Sequence, residues 1–203
     1  MKDQRPPHGF DPERDVMLDA HNLRGLAHPL RLRMLGILRE SGPATATLLA
    51  NRLGESSAAT SYHLRQLAEY GFVVDDERPA SGRERWWRSA HRSTYFDTLG
   101  DDTDDAQLLG TEYLRGVVRA LAGRMDAWVD AMPAMPRAWR EAGNVSDYRM
   151  RLTPEQAVEL IERLDELGVA RRHDDTMPAD PAARRVMFQF QVLPDPRSVL
   201  DDD

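Results

Sequence analysis

Apolar residues recur every three or four positions along most of this chain and every second position in a few short runs, so the pattern predicts helices interrupted by brief strands. Val16, Leu23, Leu26 and Ala27 share one helical face, and Leu30, Met34, Leu35, Ile37 and Leu38 share another, with Pro29 suited to a first turn and Gly42 to a stop. Thr45 is placed to cap a short helix whose Leu48, Leu49 and Leu53 point inward and which Gly54 ends. Ser56 or Ser57 caps the next helix, with Ala59, Tyr62, Leu64, Leu67 and Ala68 among its more apolar positions, and Gly71 closes it. The run FVVDDE then reads as a strand, Pro79 to Gly82 as a turn, and RERWWRS as a returning strand.

Beyond the acidic DDTDD from Asp101 to Asp105, a long stripe of Leu114, Val117, Val118, Leu121, Met125, Trp128, Val129 and Met132 predicts one continuous helix, ended by Pro133 and Pro136. YRMRL alternates like a strand. Thr153 and Gln156 have capping-box spacing with Pro154 between them, opening a helix through Leu160, Leu164 and Leu167 to Gly168. VMFQFQVL then alternates again. The expected class is mainly α with small β: an N-terminal winged helix-turn-helix, a long helix that pairs two subunits, and a C-terminal strand-helix-strand module. The expected divisions are a flexible stretch 1–15, the winged helix-turn-helix domain 16–98, a dimerisation helix with a strand-helix-strand effector or dimer module over 103–193, and a flexible acidic tail 194–203.

Charge sharpens this picture. The net charge of −7 is unevenly spread: His21 to Tyr95 holds 11 Arg against 7 Asp and Glu, a balance of +4, which leaves −11 to the rest. A basic module thus sits inside an acidic chain. All its basic side chains are arginine, whose planar fork suits bidentate contact with phosphate or guanine. The absence of cysteine rules out thiolate metal sites, disulfides and cysteine nucleophiles. No apolar run approaches a membrane span. The first fifteen residues include no stretch of signal-peptide type, so a cytoplasmic location is expected.

Two helices joined by a short turn, followed by a hairpin, form the arrangement in which the second helix enters the major groove of DNA and its first turns meet base edges. The sequence SSAATS supplies small side chains and hydroxyls there, where bulk would hold the helix off the bases. The candidate DNA-contacting residues are Thr45, Ser56, Ser57, Thr60, Ser61, Tyr62, His63, Arg65 and Gln66, with Arg83 and Arg85 on the wing. Leu114, Val117, Val118, Leu121 and Met125 are the candidate dimer contacts. Trp128, Met132 and Trp139, with Met125 and Met135 nearby, have the Met and Trp composition of an adaptable apolar pocket for a small-molecule effector.

Leu26, Ala27, Pro29, Arg31 and Leu35, followed by Ser61, His63, Leu64, Leu67, Gly71 and Val73, match the opening and the signature of a known family. Over Leu18 to Tyr95 the chain resembles the winged helix-turn-helix of ArsR-type bacterial transcription regulators. Gly82 to Arg88, GRERWWR, is similar to the wing of a subgroup with a long C-terminal extension. The resemblance implies a homodimeric repressor on an inverted-repeat operator. It does not extend to the family's metal sites: there is no cysteine, and Asp104, Glu112, Asp126 and Asp130 have no histidine in their helix. No cofactor or metal is expected.

Plainer readings stand beside these. His63 is as well suited to packing as to DNA, Ser57 to capping alone, Arg65 and Gln66 to solvating a helix face, and the 114–132 stripe to a core. Trp86 and Trp87 alternate on a strand, so one is expected to pack inward and the other to face out. A winged helix also serves as a protein-docking platform, which makes an interaction module the alternative to a DNA-binding regulator. An enzyme has little support: no Gly-rich phosphate loop, HExxH or GxSxG occurs, and the six histidines are scattered.

Overall fold

The computed structural model describes residues 9–77, 84–96, 103–171 and 180–200. The chain divides into two compact units, one of Asp11–Asn144 and one of Met1–Phe10 with Val145–Asp203. The first opens with β1 (Asp15–Leu18) and α1 (Ala20–Leu26). Then come α2 (Pro29–Ser41), β2 (Ala44–Thr45), α3 (Ala46–Leu53) and α4 (Ser57–Glu69). β3 (Val73–Asp75), β4 (Trp86–Ser89) and β5 (Ser93–Phe96) lead into the long α5 (Asp104–Ala131), and a 3-10 turn at Met132–Ala134 precedes α6 (Arg137–Ala142).

Local chemistry starts and stops these helices largely where the sequence indicates. Thr45 Oγ1 accepts from the Leu48 amide, Ser56 Oγ accepts from the Ala59 amide, and Pro29 occupies the first turn of α2. Helix α3 ends at Gly54 with φ 70° and ψ 30°, a left-handed conformation that favours glycine, and its amide caps the Ala50 carbonyl. Leu26, Met34, Leu35, Leu49, Leu64, Leu67 and Phe72 are buried together between the helices and the sheet. Each such side chain contributes about 1.5–3 kcal/mol on leaving water.

β4 is the centre of a three-stranded antiparallel sheet, ordered β2-β4-β3, with Ala44 opposite Trp87 and Val74 opposite Arg88. Trp87 is buried under the helices and Trp86 is half-buried, following the expected alternation. The expected turn at Pro79–Gly82, and Arg83 with it, lie outside the described residues. Helix α5 packs against α1 and α2, with Ala106 and Tyr113 buried and Leu109 and Val117 half-buried against the core. Gly110 and Gly116 let it lie close: a Cβ at either would come within 2.5 Å of Phe96 or Leu32.

Three expectations need correction. Val16 lies on β1, which pairs in parallel with β5, Asp15 opposite Ser93 and Leu18 opposite Phe96. A helix cannot run through it, because Asp19 and Asn22 form a capping box that starts α1 at Ala20. The long helix does end at Ala131, just before Pro133, as the sequence indicates; a 3-10 turn follows, and then α6, which begins directly after Pro136, a position proline tolerates because the first turn's amides have no intrahelical acceptor. In the second unit α7 (Pro154–Ala170) forms with the expected Thr153–Gln156 box, and a short α8 (Pro196–Leu200) lies within the expected tail. The flanking segments expected to be strands, Tyr148–Leu152 and Val186–Leu193, are not in a ladder: alternation alone does not make a strand without a paired backbone, and neither has one among the described residues. No helix among the described residues is long and apolar enough to cross a membrane.

Candidate nucleic-acid interface

Only Gly54, Glu55 and Ser56 separate α3 from α4, so the turn presents the first turns of α4 at the molecular surface. Leu64 and Leu67 anchor α4 inward. On the outward side Ser57, Ala58, Tyr62 and Arg65 are exposed, Tyr62 by 55%, and Ser61 is half-buried among them. Beside this face a groove of about 300 Å³ runs between the start of α3, α4 and β4, lined by Thr45, Ala46, Thr47, Ser61, Arg65, Glu84, Arg85 and Trp87. The groove therefore brings the recognition-helix candidates Ser61 and Arg65 together with the wing candidate Arg85.

Arg85 is held from two sides. Its Nη2 donates to Asp75 Oδ2 at 2.7 Å and its Nε donates to Asp75 Oδ1, while its Cζ lies 4.0 Å from the centroid of the Trp87 ring. The arginine keeps the Asp75 carboxyl below its ordinary range, chiefly through these hydrogen bonds. Across the groove, Thr47 Oγ1 donates to Glu84 at 3.0 Å. Arg65 Nε donates to the Ser61 carbonyl and Gln66 Nε2 to Glu69, so both are held in place along the helix with their outer edges free for solvent.

Two candidates leave the interface. Thr60 is fully buried: its hydroxyl lies 2.9 Å from the Ala46 carbonyl, bridging α4 to α3, and also within reach of the Ser56 and Ser57 carbonyls. Thr45 is likewise buried, its hydroxyl committed to capping α3. Thr60 has no surface to offer a base, and at Thr45 only a sliver at the groove wall remains, its hydroxyl already accepting from the Leu48 amide. Replacing Thr60 with valine is expected to cost about 1–2 kcal/mol, the loss of a buried hydrogen bond between helices, read as a lower denaturant midpoint at unchanged slope.

His63 packs. Its ring stacks on His28 with centroids 4.3 Å apart and meets Tyr62 edge-on, and its Nδ1 is buried without a hydrogen-bond partner among the described residues. Burial first, then His28 and Arg31, hold its pKa below the ordinary 6.5. His91, half-buried beside Arg39, is shifted the same way. With folded pKa values below unfolded ones, the unfolded chain binds more protons on acidification, so stability falls as pH drops below about 6.5. His63→Gln is expected to flatten part of that acid limb in a series of thermal melts.

Sequence reasoning passed over Thr47, Asp75, Glu84 and Arg39. Arg39 sits in the last turn of α2 and donates to the His91 carbonyl at 3.1 Å, to Ser89 Oγ and to Thr94 Oγ1, tying α2 to the base of β4 and to β5. Burial pushes its pKa down to about 10, so it remains charged at neutral pH.

On the long helix, Leu114, Val118 and Met125 are exposed, Val118 by 63%, and Leu121 is half-buried beside them, whereas Val117 turns toward the domain's own core. Trp128 packs over Gly143, Met132 is half-buried and Trp139 is 37% exposed. Among the described residues no group of three or more His, Asp or Glu is disposed to hold a metal ion.

A three-residue turn between two packed helices, with a sheet strand flanking the second, makes this unit a winged helix-turn-helix domain. Residues 26–75 match the family described as "Helix-turn-helix domain", which places the α3–α4 pair in the class of DNA-binding modules. Among solved structures, the chain is similar to an apo mutant of ZitR from Lactococcus lactis, at 15% identity and a TM-score of 0.31, over 72% of this chain and 84% of that one. It is also similar to RV1404 from Mycobacterium tuberculosis, at 19% identity and a TM-score of 0.30, over 61% and 75%. No curated protein matches.

Proposed function

We propose that the protein is a transcriptional regulator of the ArsR type, a homodimer that represses by binding an inverted-repeat operator with α4 in the major groove. The observation that carries this is the outward face of α4: small Ser57, Ala58 and Ser61 beside exposed Tyr62 and Arg65, adjoining a groove that holds Arg85. Small residues let the helix approach base edges, and arginines meet the phosphates on either side. The dimer contact is the outer stripe of α5. Leu114, Val118, Leu121 and Met125 alternate spacings of four and three, the heptad rhythm with which two helices pack along a shared seam. Pairing there sets two recognition helices at a fixed separation, which must suit half-sites about 34 Å apart.

The test compares variants in selections from a random duplex pool. Tyr62→Ala is expected to change the enriched sequence, because it removes a side chain at the base edges. Arg65→Ala is expected to weaken binding to every duplex several-fold and to flatten the salt dependence by roughly one unit of slope per subunit. If Tyr62→Ala enriched the same sequence with the same affinity, α4 would not be the reading helix.

A further inference from the structure

The groove beside α4 is electrically self-cancelling. Arg65, Arg85 and Glu84 line it, and Asp75 holds the Arg85 guanidinium, so two arginines stand beside two carboxylates although the surrounding module is net basic. Asp75 ends β3, opposite Trp87 in the ladder, and Arg85 immediately precedes β4, where the Asp76 amide donates to the Trp86 carbonyl and keeps the two backbones together. The carboxylate takes the Nε and Nη2 edge of the guanidinium, the edge that would otherwise grip a phosphate in the same bidentate manner. Both side chains are more than half exposed, at 58% and 55%. Water screens an exposed pair of this kind and leaves it weak, so a well-placed phosphate can displace Asp75 and a poorly placed one cannot.

We infer that Asp75 is a specificity-determining residue: it occupies Arg85 until α4 has seated in a cognate major groove, and so denies the wing's arginine to non-cognate DNA. This rests on the DNA-binding reading above. On a non-cognate duplex the domain is held by phosphates alone and Arg85 stays with Asp75. On a cognate duplex the base contacts press the wing against the backbone, and Arg85 exchanges its carboxylate for a phosphate. Repulsion built against the wrong partner raises discrimination at little cost to the right one.

The experiment titrates salt against full-length protein, its Asp75→Asn variant, Arg85→Ala and the double variant, on the duplex selected from a random pool and on a scrambled duplex. Asp75→Asn is expected to bind the scrambled duplex several-fold tighter and with a log–log salt slope steeper by about 0.9 per subunit, one freed phosphate contact each. Its slope on the selected duplex stays that of the parent protein, so the selected-to-scrambled ratio falls. In the Arg85→Ala background the same change has no effect on slope. Weaker binding by Asp75→Asn would show that the carboxylate positions Arg85 for phosphate and would overturn the inference. An equal rise on both duplexes, or a rise that persists without Arg85, would also overturn it. If the parent protein selected no duplex at all, the DNA-binding reading itself would fail, an outcome separate from these.

Discussion

Asp15→Ala is expected to destabilise the winged unit by about 3 kcal/mol, read as a fall in the denaturant midpoint. The Asp15 side chain is fully buried and accepts from Arg92 at both oxygens, at 3.0 and 2.6 Å, and from the Asp11 amide. Breaking a buried pair by removing one partner costs about 3–5 kcal/mol, because the remaining charge loses its compensation. The lower end applies, since the Arg92 side chain keeps 29% of its surface and can recover some water. The pair clamps β1 to the segment leading into β5, where the Arg92 amide also donates to the Arg14 carbonyl. Asp15→Asn keeps an acceptor for Arg92 and is expected to lose less. A midpoint unchanged by Asp15→Ala would mean that this clamp does not hold the fold.

Val118→Glu is expected to separate the proposed dimer and lower operator affinity by about 10²–10⁴-fold. Val118 lies 63% exposed in the middle of the outer stripe of α5, and a shallow depression formed with Thr111, Leu114, Arg115 and Arg119 surrounds it. In a symmetric seam two introduced carboxylates would face each other across a drying interface, an arrangement of like charges that excludes association. The monomer would lose the second half-site and with it the avidity gain of that order. Its melting temperature at low concentration should hardly move, because the substitution touches no core. Light scattering and operator titration together check this: a variant that stays dimeric with parental affinity would remove the outer stripe from the interface.

These outcomes depend on features unequally legible in the sequence. Helices α2, α3 and α4 could be read from periodicity and caps because their stop and start signals, Pro29, Thr45, Gly54, Ser56 and Gly71, act locally. β1 could not: its four residues pair in parallel with a strand 78 positions on, Asp15 with Ser93, and a short apolar run next to a helix looks like the helix's own first turn. β2 is two residues long and exists only because β4 lies beside it. Thr60 is different, since its burial was there to be read. Thr60, Leu64 and Leu67 follow the i, i+4, i+7 spacing of one inward face, and the preference for hydroxyls near DNA obscured it. Val117 is the same case, one turn beyond the buried Tyr113. Asp75 and Glu84 drew no notice as a site because their role depends on strand register, which sequence alone does not supply for a wing.

On the proposed function, α4 reads base sequence, two copies at a time. The decisive measurement is selection by the full-length protein from a random duplex pool at moderate salt. The expected result is one enriched inverted repeat, its half-sites about one helical turn apart, bound far more tightly than a scrambled duplex. Enrichment of no sequence, with equal and weak retention of every duplex, would contradict it and leave the exposed face of α4 as a surface for a protein partner.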